Sequence, residues 1–169
     1  VSNKESVIKV AFYKNGRGFV HRAVRWYTNS PYSHAELIMP DGVTWITISP
    51  FFNSKVTPRL IYEYDEEKWD FIEIPLSWRD PVRAYQKKQL EKFVKETCGN
   101  KYDWAGMLLS NLGPFKIRRK NRWYCSEWIA HALLYSRIVM WDEIRVYNIP
   151  DMSPGRLHKF LSEYDPRYS

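Results

Sequence analysis

Cys125 lies in Trp123-Tyr124-Cys125-Ser126-Glu127, immediately before a helical pattern that carries Trp128, Ile129, Ala132, Leu133 and Tyr135. A thiol at a helix N-terminus meets unpaired backbone N–H groups and the positive end of the helix dipole, and both favour the thiolate. The basic run 116–122 just upstream pushes the same way if it folds close by. The plainer alternative is a buried structural cysteine. His34 is the second candidate, opening a strand pattern in Ser33-His34-Ala35-Glu36-Leu37 directly after the breaker-rich segment 29–33. A histidine at a strand end can take a thiol proton and later deliver one to a leaving group. Its plainer reading is a surface or hydrogen-bonded histidine. His21 and His158 sit in amphipathic patterns beside Arg22 and Lys159 and read as solvated faces, and His131 falls well round the helix from Cys125.

Elements of both kinds must position these residues. Val7 to Tyr13 is rich in β-branched and aromatic types and ends at Asn15-Gly16, which predicts a strand and a turn. Val20, Ala23, Val24 and Tyr27 fall on one face of a short helix. His34–Met39 and Val43–Ile48 flank Pro40-Asp41-Gly42 and predict a hairpin. Residues 49–68 read mostly as loop, with an edge strand over Leu60–Tyr64, and Trp69–Ile74 reads as a strand. Asp80 caps a helix with Pro81 in its first turn; Val82, Tyr85, Leu90, Phe93, Val94 and Thr97 give its stripe, and Gly99 closes it. Further helices are expected over Tyr102–Leu112, from Cys125, and over Pro154–Tyr164. The reading is one α+β domain over residues 1–169, strands mostly first and helices mostly second.

Three short motifs in this order resemble the permuted branch of the NlpC/P60 papain-like superfamily, in which the usual Cys-then-His order is reversed. Tyr124-Cys125-Ser126-Glu127-Trp128-Ile129 resembles the aromatic-Cys-Ser-Glu signature of its YiiX-like group. Ser33-His34-Ala35-Glu36-Leu37-Ile38 with Pro40-Asp41-Gly42 resembles the hairpin strand of that group, and Lys101-Tyr102-Asp103-Trp104 resembles its Tyr-Asp-aromatic motif. The resemblance spans most of residues 7–137. It implies a circularly permuted papain-like fold, an antiparallel sheet packed on helices, with His on a strand and Cys at a helix N-terminus.

The implied activity is that of a cysteine peptidase or amidase. Cys125 attacks a carbonyl, His34 is base and then acid, and the oxyanion is held by backbone N–H groups at the Cys125 helix start with Tyr124 or Ser126. Such enzymes generally orient the imidazole with a polar residue, often Glu, on the strand after the histidine strand. Here that strand, Val43–Ser49, has no carboxylate. Thr47 is the best positional match, and Glu36, two residues past His34 on the same face, is the fallback. By resemblance the bond is an amide of a cell-wall peptidoglycan peptide. Relatives of this architecture also act on lipid esters and acyl chains, so a lipid acyl hydrolase or acyltransferase is the first alternative. A binding or structural module without turnover is the second.

Composition narrows the partners. Net charge is +7 and aromatics make up 17% of the chain, with 8 Trp and 12 Tyr, a surface suited to anionic partners and polar polymers. Arg118, Arg119, Lys120 and Arg122 are candidates for contact with an anionic substrate; the plainer reading is a solvated connection. No Gly-rich phosphate loop, paired-cysteine metal pattern or RNA-binding signature is present, so no cofactor, no metal and no specific nucleic acid is expected. No apolar run reaches bilayer length, and residues 1–16 lack a secretory apolar core. A wall enzyme without such a signal could reach the wall from a phage particle or by release. Two cysteines are too few for a disulfide framework but could form one bridge.

Overall fold

β1 (Val7–Tyr13) is the strand about which the sheet is organised, pairing antiparallel with both β2 (His34–Ile38) and β5 (Trp69–Pro75). The computed structural model describes residues 7–14, 16–49, 52–103, 122–147, 149 and 152–164. Beyond β2 come β3 (Thr44–Ser49), β4 (Phe52–Leu60) and two short strands, β6 (Lys101–Tyr102) and β7 (Arg122–Trp123). The order is β5-β1-β2-β3-β4-β6-β7, antiparallel throughout except for the parallel β6–β7 pair. The helices are α1 (Phe19–Thr28), α2 (Asp80–Thr97), α3 (Cys125–Tyr135), the short α4 (Trp141–Ile144) and α5 (Pro154–Glu163). The class is α+β, as the sequence predicts.

Strand periodicity sorts the side chains of the sheet. Ile8, Val10 and Phe12 of β1, with Ala35 and Leu37 of β2 and Ile46 and Ile48 of β3, join the main core with the helices. The other face carries a smaller cluster in which Ala11, Ile38 and Trp45 pack with Ile61, Trp69 and Phe71. α3 is buried on nearly every side, which suits a helix with so few polar residues. Trp128 donates its indole N–H to Thr97 Oγ1 at 2.9 Å and packs on Phe93, joining α3 to α2.

The β2–β3 hairpin turns where expected. Asp41 accepts from Val43 N (2.9 Å) and Thr44 N (2.8 Å), and Gly42 takes φ +76°, a conformation that suits glycine. The β2–β3 ladder is nonetheless short, pairing only Leu37 with Ile46 and Ile38 with Trp45. The first half of β2 is therefore unladdered on its β3 side, and α3 packs against β2.

Several expectations are corrected. Residues 52–60, read as loop, form β4, while 61–65 lie outside any strand, so the edge strand over Leu60–Tyr64 is displaced toward the N-terminus. Asp80 is not the cap of α2; that position is Arg79, and Asp80 is the first helical residue, paired with Arg83. Val82 and Tyr85 are exposed, and Gln86 is buried instead, accepting from Ser77 N at 2.9 Å and donating to Arg137 O at 3.0 Å. On the α1 face expected from the spacing, Ala23 is exposed and Val24 half-buried. Tyr102 belongs to β6, and the rest of the helix expected over Tyr102–Leu112 lies outside the described residues apart from Asp103.

Candidate active site

Cys125 is the first residue of α3, and the Tyr124 carbonyl accepts the first helical bond, from Trp128 N at 3.0 Å. By position, the first-turn N–H groups of α3 lack intrahelical acceptors. The Ser126 N–H turns to Cys125 Sγ, and so does the N–H of Ala35, just before the β2–β3 ladder begins. The short ladder thus lets a helix end bond to a strand edge.

His34, the first residue of β2, is in hydrogen-bond contact with the Cys125 thiol. Its Nε2 faces Glu36 Oε1 at 3.1 Å, which leaves the Nδ1 edge for the sulfur. Burial works against charge on both partners, but the two charges and their hydrogen bond outweigh it. Cys125 is pulled below the ordinary thiol range. His34 is raised to about 10 by the thiolate and, after it, by Glu36. Both shifts favour the thiolate–imidazolium form of the pair.

Glu36 is 3% exposed, and a buried carboxylate of this kind requires several donors. Thr47 Oγ1 donates to Oε1 at 2.7 Å, and Arg59 Nη2 reaches Oε1 and Oε2 at 3.0 and 3.1 Å. Although burial pushes its pKa up, His34, Arg59 and Thr47 together hold it below the usual carboxylate range. The expected ranking of Thr47 and Glu36 is thereby reversed. Glu36 touches the imidazole, and Thr47 acts on Glu36. Arg59 was not anticipated, because it lies in β4, which read as loop; the alternation Lys55-Val56-Thr57-Pro58-Arg59 was the available signal.

Other expectations fare differently. The Tyr124 hydroxyl donates to Ile149 O at 3.3 Å and the Ser126 hydroxyl to Met152 O, so both are engaged with the backbone that leads into α5 rather than offered to an oxyanion. Backbone N–H groups remain for that role. Arg118, Arg119 and Lys120 lie outside the described residues, and Arg122 is described only as part of the β7 backbone. His21 and His158 are not solvated faces. His21 Nδ1 bonds Ser33 Oγ at 2.9 Å, and burial, with His34 and Arg25 nearby, lowers its pKa. His158 stacks on Tyr32, with Nε2 3.1 Å from its hydroxyl.

Tyr102 joins the site unforeseen in this role. Buried in β6, it is pushed well above the ordinary phenol range by burial, and by the negative charges of Cys125 and Asp103. It is therefore a protonated hydroxyl within electrostatic range of the thiolate. Cys98 and Cys125 are both free, the former exposed and the latter buried. Among the described residues no group of three or more His, Cys, Asp or Glu is placed to hold a metal ion, and no helix is long and apolar enough to cross a membrane. Comparison with family models, with curated proteins and with solved structures finds no match to this chain.

Proposed function

We propose that the protein is a cysteine hydrolase of the permuted NlpC/P60 type. The observation that carries this reading is the buried contact between Cys125 and His34, backed by Glu36. A base on β2 that precedes a nucleophile at the start of α3 supports the permuted papain-like arrangement.

The thiolate of Cys125 attacks the carbonyl carbon and the π electrons move to oxygen. The first-turn N–H groups of α3, which lack intrahelical acceptors, are the donors this reading assigns to that oxyanion. As the tetrahedral intermediate collapses, the bond to the leaving group breaks and the His34 imidazolium gives it a proton. This leaves a thioester on Cys125 and a neutral imidazole. Water then attacks the thioester, His34 takes its proton, and the acid departs as the thiolate–imidazolium pair re-forms. Glu36 keeps Nδ1 aimed at sulfur and favours the charged ring.

The resemblance supports an amide of a peptidoglycan peptide as the scissile bond. A lipid acyl group is the second reading, favoured by a basic groove of about 950 Å³ that includes Arg17, Arg22, Arg25 and Lys68 in its lining. The test is turnover of soluble muropeptides and of phospholipid by the intact chain and by Cys125→Ala, with mass analysis for an acyl adduct on Cys125. Product formed by the intact chain alone supports hydrolysis. Identical behaviour of the two proteins on both substrates removes it and leaves a binding module.

A further inference from the structure

Helix α1 contains no acidic residue, and it turns two large aromatic rings to solvent. Phe19 and Trp26, seven residues apart and so on one face, are 86% and 84% exposed. Arg22 stands between them. Among the described contacts that tie α1 to the body, His21 Nδ1 bonds Ser33 Oγ at 2.9 Å while its ring packs on Tyr13, and Arg25 Nη1 donates to Lys14 O at 2.9 Å. The helix thus leaves the apolar rings of Phe19 and Trp26 uncovered at its surface.

Beside it runs the basic groove. Its wall brings four cations against the two carboxylates Asp65 and Glu67, and Lys68 is already paired with Asp65 at 2.7 Å. Arg17 and Arg22 remain directed at solvent. Tyr13, also in that wall, lies opposite His34 in the β1–β2 register, so the groove begins next to the dyad.

We propose that α1 docks the protein on an anionic phospholipid surface. Phe19 and Trp26 enter the headgroup region, while Arg17 and Arg22 meet the phosphates. Two apolar rings and the cationic Arg22 on one short helix, with Arg17 just before its start, match a bilayer interface in both respects. The chain's net charge of +7 complements the same surface. This docking does not rest on the hydrolase reading, and it brings the groove that Tyr13 lines to the membrane.

The experiment is co-sedimentation of the full chain carrying Cys125→Ala with vesicles of phosphatidylcholine alone or mixed with phosphatidylglycerol. Binding is expected only to the mixed vesicles and is expected to weaken as salt is raised. Arg17→Ser with Arg22→Ser should lower the partition coefficient about 30-fold, from two basic contacts of ordinary strength. Phe19→Ser with Trp26→Ser should lower it at least about tenfold. Hydrogen exchange on the chain without surface changes provides a second measurement, and amides of residues 19–28 should exchange more slowly when mixed vesicles are added. Absence of binding, undiminished binding of the aromatic pair variant, or unaltered exchange in α1 overturns the proposal. So does retention of double-stranded DNA through the same arginines with no vesicle binding. Vesicle binding by a chain that hydrolyses nothing would still support it.

Discussion

Thr47 donates to Glu36 Oε1, the same oxygen that faces His34 Nε2, so the hydroxyl and the imidazole share one acceptor atom. The threonine thereby fixes the carboxylate's rotamer without meeting the histidine. Glu36→Gln should accordingly lower turnover by about 10²- to 10³-fold, within the range of a misdirected general base. Thr47→Val should cost about tenfold or less, since Arg59 still holds Glu36. Steady-state assays of both variants decide the order, and a larger loss in Thr47→Val would return the orienting role to the threonine.

The coupled charges of Cys125 and His34 predict a bell-shaped pH profile. kcat/KM should rise below the usual thiol range of about 8.5, because the Cys125 pKa is lowered. It should fall as the imidazolium, raised to about 10, is lost. Glu36→Gln removes one of the anions that support that cation, so the descending limb should move to lower pH. An ascending limb in the ordinary thiol range, or a descending limb indifferent to Glu36, contradicts the pair.

Alkylation tests the nucleophile separately. At about pH 6, where ordinary thiols are almost wholly protonated, iodoacetamide should label Cys125 ahead of exposed Cys98 despite its burial. Peptide mapping reads the order. Slower labelling of Cys125 in His34→Ala would tie the effect to the imidazole, and preferential labelling of Cys98 would refute it.

Arg59→Ala should destabilise the fold by about 2–3 kcal/mol, because it strips a guanidinium from a buried carboxylate. The folded pKa of Glu36 is depressed, so its contribution is complete above the unfolded carboxylate range and is lost as pH falls through the lowered value. Without Arg59 that value rises, and acid unfolding should begin at higher pH. Denaturation across the acid range measures the shift, and an unchanged midpoint at every pH would deny the coupling.

Gly155, near the start of α5, has no room for a methyl group. A Cβ there would meet Ser30 Oγ and approach Ser30 Cβ to 2.5 Å. Gly155→Ala should cost about 1–3 kcal/mol, as overpacking does. Because both Ser30 atoms lie in the way, Ser30→Gly should restore stability to Gly155→Ala while Ser30→Ala should not. Calorimetry of the two double variants checks this, and equal rescue by both would place the conflict elsewhere.

Much of this architecture was legible where local chemistry and tertiary need agreed. Pro40-Asp41-Gly42 supplies its own turn bonds, and Gly99, at φ +83°, follows the end of α2. β4 was not legible, because Asn53 and Ser54 take positive φ beside a register shift at Ser49 and Pro58 interrupts the pattern. Among the described residues β4 pairs with β6 only at Lys55, so no ladder there calls on a Pro58 N–H. Losing β4 meant losing Arg59, whose partner lies 23 residues away. At the site, residue type and position singled out Cys125 and His34. The order of contacts behind His34 depends on strand register and could not be read from spacing.

The short β2–β3 ladder has a mechanical consequence. The imidazole and one of the two N–H groups directed at Cys125 Sγ come from consecutive residues, His34 and Ala35, on one strand. Nucleophile and base therefore share a single coordinate, the seating of the first turn of α3 on the open edge of β2. A sliding or lifting of that helix end would withdraw the sulfur from both partners together. The thiol would then lose its stabilised charge in one step, making its reactivity a direct gauge of how closely helix and strand are engaged.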